Sequence, residues 1–67
     1  MYKFPERLKE LMDEININQV QLSKDTKIPQ STIARWILNQ RTPNVYYLIT
    51  LSKYFKCSID YLVEMVD

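Results

Sequence analysis

The sequence predicts an all-α domain of five short helices. Apolar residues recur at intervals of three and four, as in Phe4, Leu8, Leu11, Met12 and Ile15, rather than at intervals of two. Residue types that start or stop helices punctuate the chain at 16–18, 27–29, 39–43 and 58. No stretch alternates apolar and polar residues as a half-buried strand would.

The first helix is expected from Phe4 or Pro5 to about Ile15, with Phe4, Leu8, Leu11, Met12 and Ile15 on one apolar face. Pro5 suits a first helical turn, and Glu6 beside it suits the positive helix end. Asn16 suits a left-handed position after the helix. The second helix spans about 19–26, with Asn18 as its N-cap and Leu22 pointing inward. A break at Lys27-Ile28-Pro29 leads to a third helix, about 30–38, whose inward residues are Ile33, Trp36 and Ile37. Asn39 again suits a left-handed turn. The loop Gln40-Arg41-Thr42-Pro43 then leads to a fourth helix, about 44–55, with Val45, Leu48, Leu51, Ser52 and Phe55 facing in. Ser58 is a good N-cap for a last short helix that buries Ile59 and Leu62. No internal repeat or linker is evident, so residues 1–67 read as one domain.

A domain of 67 residues buries only about 60% of its unfolded surface, so it needs an efficient core or a partner. One cysteine, Cys57, excludes an internal disulfide and suits a reducing cytosol. Without histidine, and with a single cysteine, the chain lacks the material for a metal site or a histidine relay. Without glycine it lacks a glycine-rich phosphate loop. No cofactor, no small-molecule ligand and no enzyme activity are expected. No apolar run is long enough for a membrane span, and no signal-peptide pattern is present.

The net charge of +1 is small, but its distribution is uneven. Residues 1–19 sum to −1, residues 20–56 to +5 and residues 57–67 to −3. The positive charge therefore falls in and after the second and third helices. Two short helices joined by a tight turn, with local positive charge, form a helix-turn-helix, here about 19–38, which can place its second helix in a DNA major groove.

The ordered set of motifs resembles the phage repressor and Cro-like helix-turn-helix family, also called the xenobiotic-response-element type. The carrying residues are Phe4, Leu8 and Leu11; Asn18-Gln19 with Leu22-Ser23; and Ile28 through Trp36. They continue with Arg41-Thr42-Pro43; Leu48, Leu51-Ser52 and Phe55; and Ser58 through Leu62. The match covers about residues 4–63 and implies a compact five-helix, lambda-repressor-like DNA-binding fold. The family often has glycine where this chain has Asn16, Lys27, Asn39 and Lys56, so Lys27 and Lys56 are expected to be slightly strained. Met12 and Ile37 stand where the family often pairs an arginine with a glutamate, and they are expected to pack together. Ser23 stands where the family favours alanine.

With Ile33, Trp36 and Ile37 inward, the opposite face of the third helix carries Ser31, Arg35 and Leu38, flanked by Gln30, Thr32 and Ala34. The resemblance independently implies Gln30, Ser31 and Arg35 as base readers. Arg35 suits guanine, Gln30 suits adenine, and Ala34 or Leu38 suits a thymine methyl. Thr32 either reads DNA or only starts the helix. Gln19, with the Asn18 region, is expected at a phosphate, as are Asn39, Gln40 and Arg41, with Lys24 and Lys27 as further backbone contacts. Trp36 reads as core rather than a stacking platform, and Cys57 as a small core residue. The acidic residues of the first helix read as its solvated face or as a partner patch.

Tyr47, Leu51 and Tyr54 form a second stripe that either packs on the last helix or stays exposed. Related domains commonly bind DNA as two-fold dimers. A homodimer contact is therefore expected at the start of the fourth helix or in the tail, through Tyr46, Tyr47, Tyr61, Met65 or Val66. Two reading helices would then lie about 34 Å apart on a pseudo-palindromic site. The alternative is a monomer whose core uses these residues. The leading functional expectation is a small Cro-like or immunity-type repressor of double-stranded DNA, chromosomal or phage-encoded, in a bacterial cytoplasm. Sixty-seven residues are expected to hold no separate sensing domain. The competing expectation is a protein-binding module on the same scaffold, such as an anti-repressor, antitoxin or host-factor inhibitor. Low net charge and Val20 at a usually polar position motivate it.

Overall fold

The computed structural model describes residues 3–63. Five helices run in the order α1 (Phe4–Glu14), α2 (Gln19–Thr26), α3 (Gln30–Ile37), α4 (Val45–Phe55) and α5 (Ile59–Leu62), and no strand occurs among the described residues. They enclose one core of Phe4, Leu8, Leu11, Met12, Leu22, Ile28, Ile33, Trp36, Leu51 and Leu62. Every helix contributes to it. Trp36 sits between Phe4 and Tyr47 in two edge-to-face contacts, with ring centroids 5.6 and 5.5 Å apart. Such aromatic pairs add to the stabilisation from burial alone.

Short polar side chains begin three of the helices. Asn18, Asn44 and Ser58 accept hydrogen bonds from the backbone N–H of Gln21, Tyr47 and Tyr61, respectively. Each satisfies one of the donors that a helix start leaves without an acceptor. The helix ends use left-handed residues. Asn16, Lys27, Asn39 and Lys56 have φ of 56°, 63°, 58° and 56°, the same four positions at which the family often has glycine. After α1, the N–H of Asn16 donates to Asp13 and that of Ile17 donates to Met12. After α3, the N–H of Asn39 donates to Trp36 and that of Gln40 donates to Arg35. Both are Schellman closures.

α2 and α4 end alike. Ser23 Oγ donates to the Ile28 carbonyl, and Ser52 Oγ donates to the Cys57 carbonyl, each at 2.6 Å. In each case a lysine four residues after the serine takes the left-handed turn. The spacing Ser-Lys-x-x-Lys occurs at 23–27 and again at 52–56. Ser23 in place of alanine is thus a hydrogen-bonding member of the turn as well as a small residue.

Two expected inward residues face solvent. Ile15 is 49% exposed, because the chain reverses at Asn16 and Ile17 packs back on the core instead. Val45 is 56% exposed. It lies about 120° around α4 from fully buried Leu51; the inward face of α4 holds Leu48, Leu51 and Phe55 as expected, together with Tyr47 and Tyr54. The stripe of Tyr47, Leu51 and Tyr54 packs inward, with Leu51 in the same core as Leu62 of the last helix. Tyr47 lies against Trp36 of α3, and the Tyr54 hydroxyl donates to Asp25 of α2 at 2.5 Å. Ile59 is only half-buried. Met12 and Ile37 line one hollow at the junction of α1, α2 and α3. Met65 and Val66 lie outside the described residues.

Candidate nucleic-acid interface

α3 is two-sided. Ile33 and Trp36 are buried against α1 and α4, which fixes the rotation of the helix about its axis. The opposite side then exposes Gln30, Ser31, Arg35 and Leu38, with Thr32 and Ala34 half-exposed at its edges. Leu38 is 66% exposed, which leaves it free for an apolar contact. Among the described residues, the side chains of Gln30, Ser31 and Arg35 have no hydrogen bond or ion pair within the protein. Their donors and acceptors are available to a partner. Tyr54 and Asp25 tie α4 to α2, and Ser23 ties the end of α2 to the turn. The helix-turn-helix is therefore held by α1 and α4 from outside and by the Ser23 hydrogen bond from within.

α2 presents its N-terminus beside this unit. Gln19 is half-exposed at its first position. The Asn18 side-chain oxygen is occupied as the cap, so this residue offers a phosphate only its amide N–H groups. Lys24 and Lys27 are exposed. Lys24 lies five residues from Gln19, about 140° around α2, so the two do not share a face. Lys27 sits in the left-handed turn between α2 and α3.

After α3, Asn39, Gln40 and Arg41 are all exposed. Arg35 and Arg41 line one polar hollow with Thr32, Thr42, Asn44 and Tyr47. The fold thus brings a reading-face cation and a loop cation into one recess at the start of α4. Neither Thr42, part of the Arg41-Thr42-Pro43 motif, nor Asn44 is among the site residues that the sequence predicts. Asn44 carries a legible signal, an N-cap residue one position before an apolar run. Thr42 carries only its place in the Arg41-Thr42-Pro43 motif.

Of the acidic residues of α1, Asp13 lines one hollow with Asn18 and Gln19. Glu6, Glu10, Asp13 and Glu14 are exposed along α1, with Glu10 bonded to Arg7 at 3.2 Å. Arg7 also lies over the Tyr61 ring, 4.2 Å from its centroid, and donates to the Tyr61 hydroxyl. Tyr61 is 39% exposed and Tyr46 76%, whereas Tyr47 is half-buried. Cys57 is half-buried against the core, and burial pushes its thiol pKa up while the Arg7 charge pulls it down. Among the described residues no cluster of His, Cys, Asp and Glu has the arrangement of a metal site. No described helix is long and apolar enough to cross a membrane.

The helix-turn-helix family model matches residues 8–62. A crystal structure of a transcriptional regulator from Listeria innocua superimposes with a TM-score of 0.87 at 30% identity. That match covers 100% of this chain and 63% of the other, so this chain spans under two thirds of its neighbour's length. No curated protein matches it.

Proposed function

The chain belongs to the helix-turn-helix family of the phage repressor and Cro type, and on that footing we propose that it regulates transcription by sequence-specific binding to double-stranded DNA. One observation carries the reading. α3 buries Ile33 and Trp36 while holding Gln30, Ser31 and Arg35 exposed and without partners inside the described protein. A helix fixed on one side and polar on the other suits a major groove.

In this reading Arg35 makes a bidentate contact to guanine and Gln30 to adenine, with Ser31 and Thr32 beside them and Ala34 against a thymine methyl. Asn18, Gln19, Lys24, Lys27, Asn39, Gln40 and Arg41 hold phosphates and set the register of α3. The regulator is a small Cro-like repressor of a bacterial or phage promoter in the bacterial cytoplasm. It acts by occupying an operator that overlaps the promoter. Two copies bind a pseudo-palindromic site.

Selection from a random duplex library, run in parallel with Arg35→Ala, tests the reading. The expected result is an enriched pseudo-palindrome. Arg35→Ala is expected to lose about 1–3 kcal/mol of binding and to relax preference at one base pair of each half-site. Properly folded protein that enriches nothing overturns the proposal and leaves the protein-binding alternative.

A further inference from the structure

α2 begins with the proposed phosphate contacts Asn18 and Gln19, yet Leu22 is the one residue of this helix that is buried. A single buried side chain leaves a helix able to rotate and tilt about it. A second anchor comes from α4. The Tyr54 hydroxyl donates to Asp25 Oδ2 at 2.5 Å, and Gln21 Nε2 donates to Asp25 Oδ1 at 2.8 Å. The backbone N–H of Gln21 in turn donates to the Asn18 side chain at 2.9 Å. A hydrogen-bonded path thus runs from α4 to the residue that caps α2. We propose that the Tyr54–Asp25 hydrogen bond is a positioning contact for DNA binding, which sets α2 so that Gln19 meets a backbone phosphate while α3 lies in the groove. The proposal rests on the DNA reading above.

The identity of Asp25 supports this role, because two local rules oppose it. An acid in the last turn of a helix faces the negative end of the dipole. Asp25 is also the sole acidic residue between positions 20 and 56, on the unit that is to approach phosphates. Its one gain is tertiary, the bond to Tyr54. A residue that breaks local rules for a distant partner marks a position where the tertiary contact matters. The Tyr54 ring is placed independently of Asp25. It packs edge-to-face on Phe55, with centroids 5.0 Å apart, so its hydroxyl is a fixed point for α2.

Geometry directs the effect to phosphates rather than bases. α3 takes its rotation from Ile33 and Trp36, which do not depend on Asp25. Arg35 therefore keeps its orientation when the tie is lost. In α2, Asp25 and Gln19 are six residues apart, about 9 Å along the axis. Leu22 lies midway between them, so a rotation released at Asp25 is carried through Leu22 to Gln19. Loss of the tie should thus remove the Gln19 contact and leave base preference unchanged.

A double-mutant cycle on a duplex carrying one selected half-site tests the proposal, with circular dichroism to check that each variant is folded. Gln19→Ala is expected to weaken binding about fivefold in the parent chain and less than about twofold in the Tyr54→Phe background. A folding defect alone would leave the two effects multiplicative. Asp25→Ala and Asp25→Asn remove the same charge, but only the asparagine keeps an oxygen that accepts from Tyr54. Asp25→Ala should therefore erase the Gln19 effect, and Asp25→Asn should keep most of it. A multiplicative cycle overturns the inference, and so does an asparagine variant that behaves like the alanine one. Amide hydrogen exchange of the free protein gives a second arm. Tyr54→Phe should speed exchange in α2 severalfold more than in α3. An equal increase in both helices marks a global loss of stability and overturns the inference. A parent chain that binds no duplex refutes the DNA reading and removes this inference with it, an outcome distinct from a multiplicative cycle.

Discussion

Lys27 and Lys56 show what a single residue contributes where the backbone is most demanding. Both hold φ near +60°, a region in which a Cβ crowds the following carbonyl at about 1–2 kcal/mol. Each turn is closed by a serine hydroxyl that donates to the next carbonyl, and a net hydrogen bond contributes about 1 kcal/mol. The serine thus offsets much of the lysine's cost. Lys27→Gly removes the crowding but adds chain entropy to the unfolded state, with a net gain of about 0.5 kcal/mol expected. Urea unfolding should show a higher midpoint with an unchanged slope. A lower midpoint would mean that the lysine stem stabilises the turn by packing. On DNA, the same variant removes a charge proposed to hold a phosphate, so it should bind more weakly while folding more stably.

α2 has few buried residues of its own, and only Leu22 is fully enclosed. Its placement depends on what other elements attach to it. The Tyr54 hydroxyl of α4 donates to Asp25, and Gln21 donates to the same carboxylate from within α2. The hydrogen bond to Asp25 is the main cause that raises the Tyr54 pKa above its ordinary 10.0, with burial and the Asp25 charge adding to it. The folded state therefore favours the protonated phenol. Its contribution to stability is fully present below pH 10.0 and is lost as pH rises through the higher folded value. Tyr54→Phe should be less stable than the parent at neutral pH, and the difference should shrink in urea titrations taken to about pH 11. A constant difference across that range would show that the hydroxyl makes no coupled contribution.

At the scale of the whole molecule, placement of charge matters more than its total. A net charge of +1 gives no strong general attraction to DNA. The cations Lys24, Lys27, Arg35 and Arg41 belong to α2, α3 and the adjoining loops, while the acids of α1 are exposed on a different helix. If Lys24, Lys27 and Arg41 each hold one phosphate, a single half-site should show a slope of log K against log salt near −2.7. The full operator should show about twice that. Arg41→Ala should reduce the half-site slope by about 1 without changing which sequences are preferred. Fluorescence anisotropy across a salt series reads both quantities. A slope near zero would argue for a partner other than duplex DNA.

The helix order and nearly all helix bounds were legible in the sequence, because period and caps are local properties. Asn18 and Ser58 announce helix starts, and the chemistry of Asn16 and Asn39 permits the turns where they stand. The outward row Gln30, Ser31 and Arg35 was legible too, since burying Ile33 and Trp36 leaves only one side for it. Tertiary structure decided the rotation of α4, the exposure of Val45 and Ile15, and the roles of the tyrosines. An apolar run such as Val45-Tyr46-Tyr47-Leu48 suits more than one inward face, and only the shape offered by Trp36 and α2 selects among them. The recess joining Arg35 to Arg41 likewise arises from the path of the 38–44 loop, which no local pattern encodes. Periodicity specifies which residues share a face of a helix, whereas complementary packing between helices specifies where that face points.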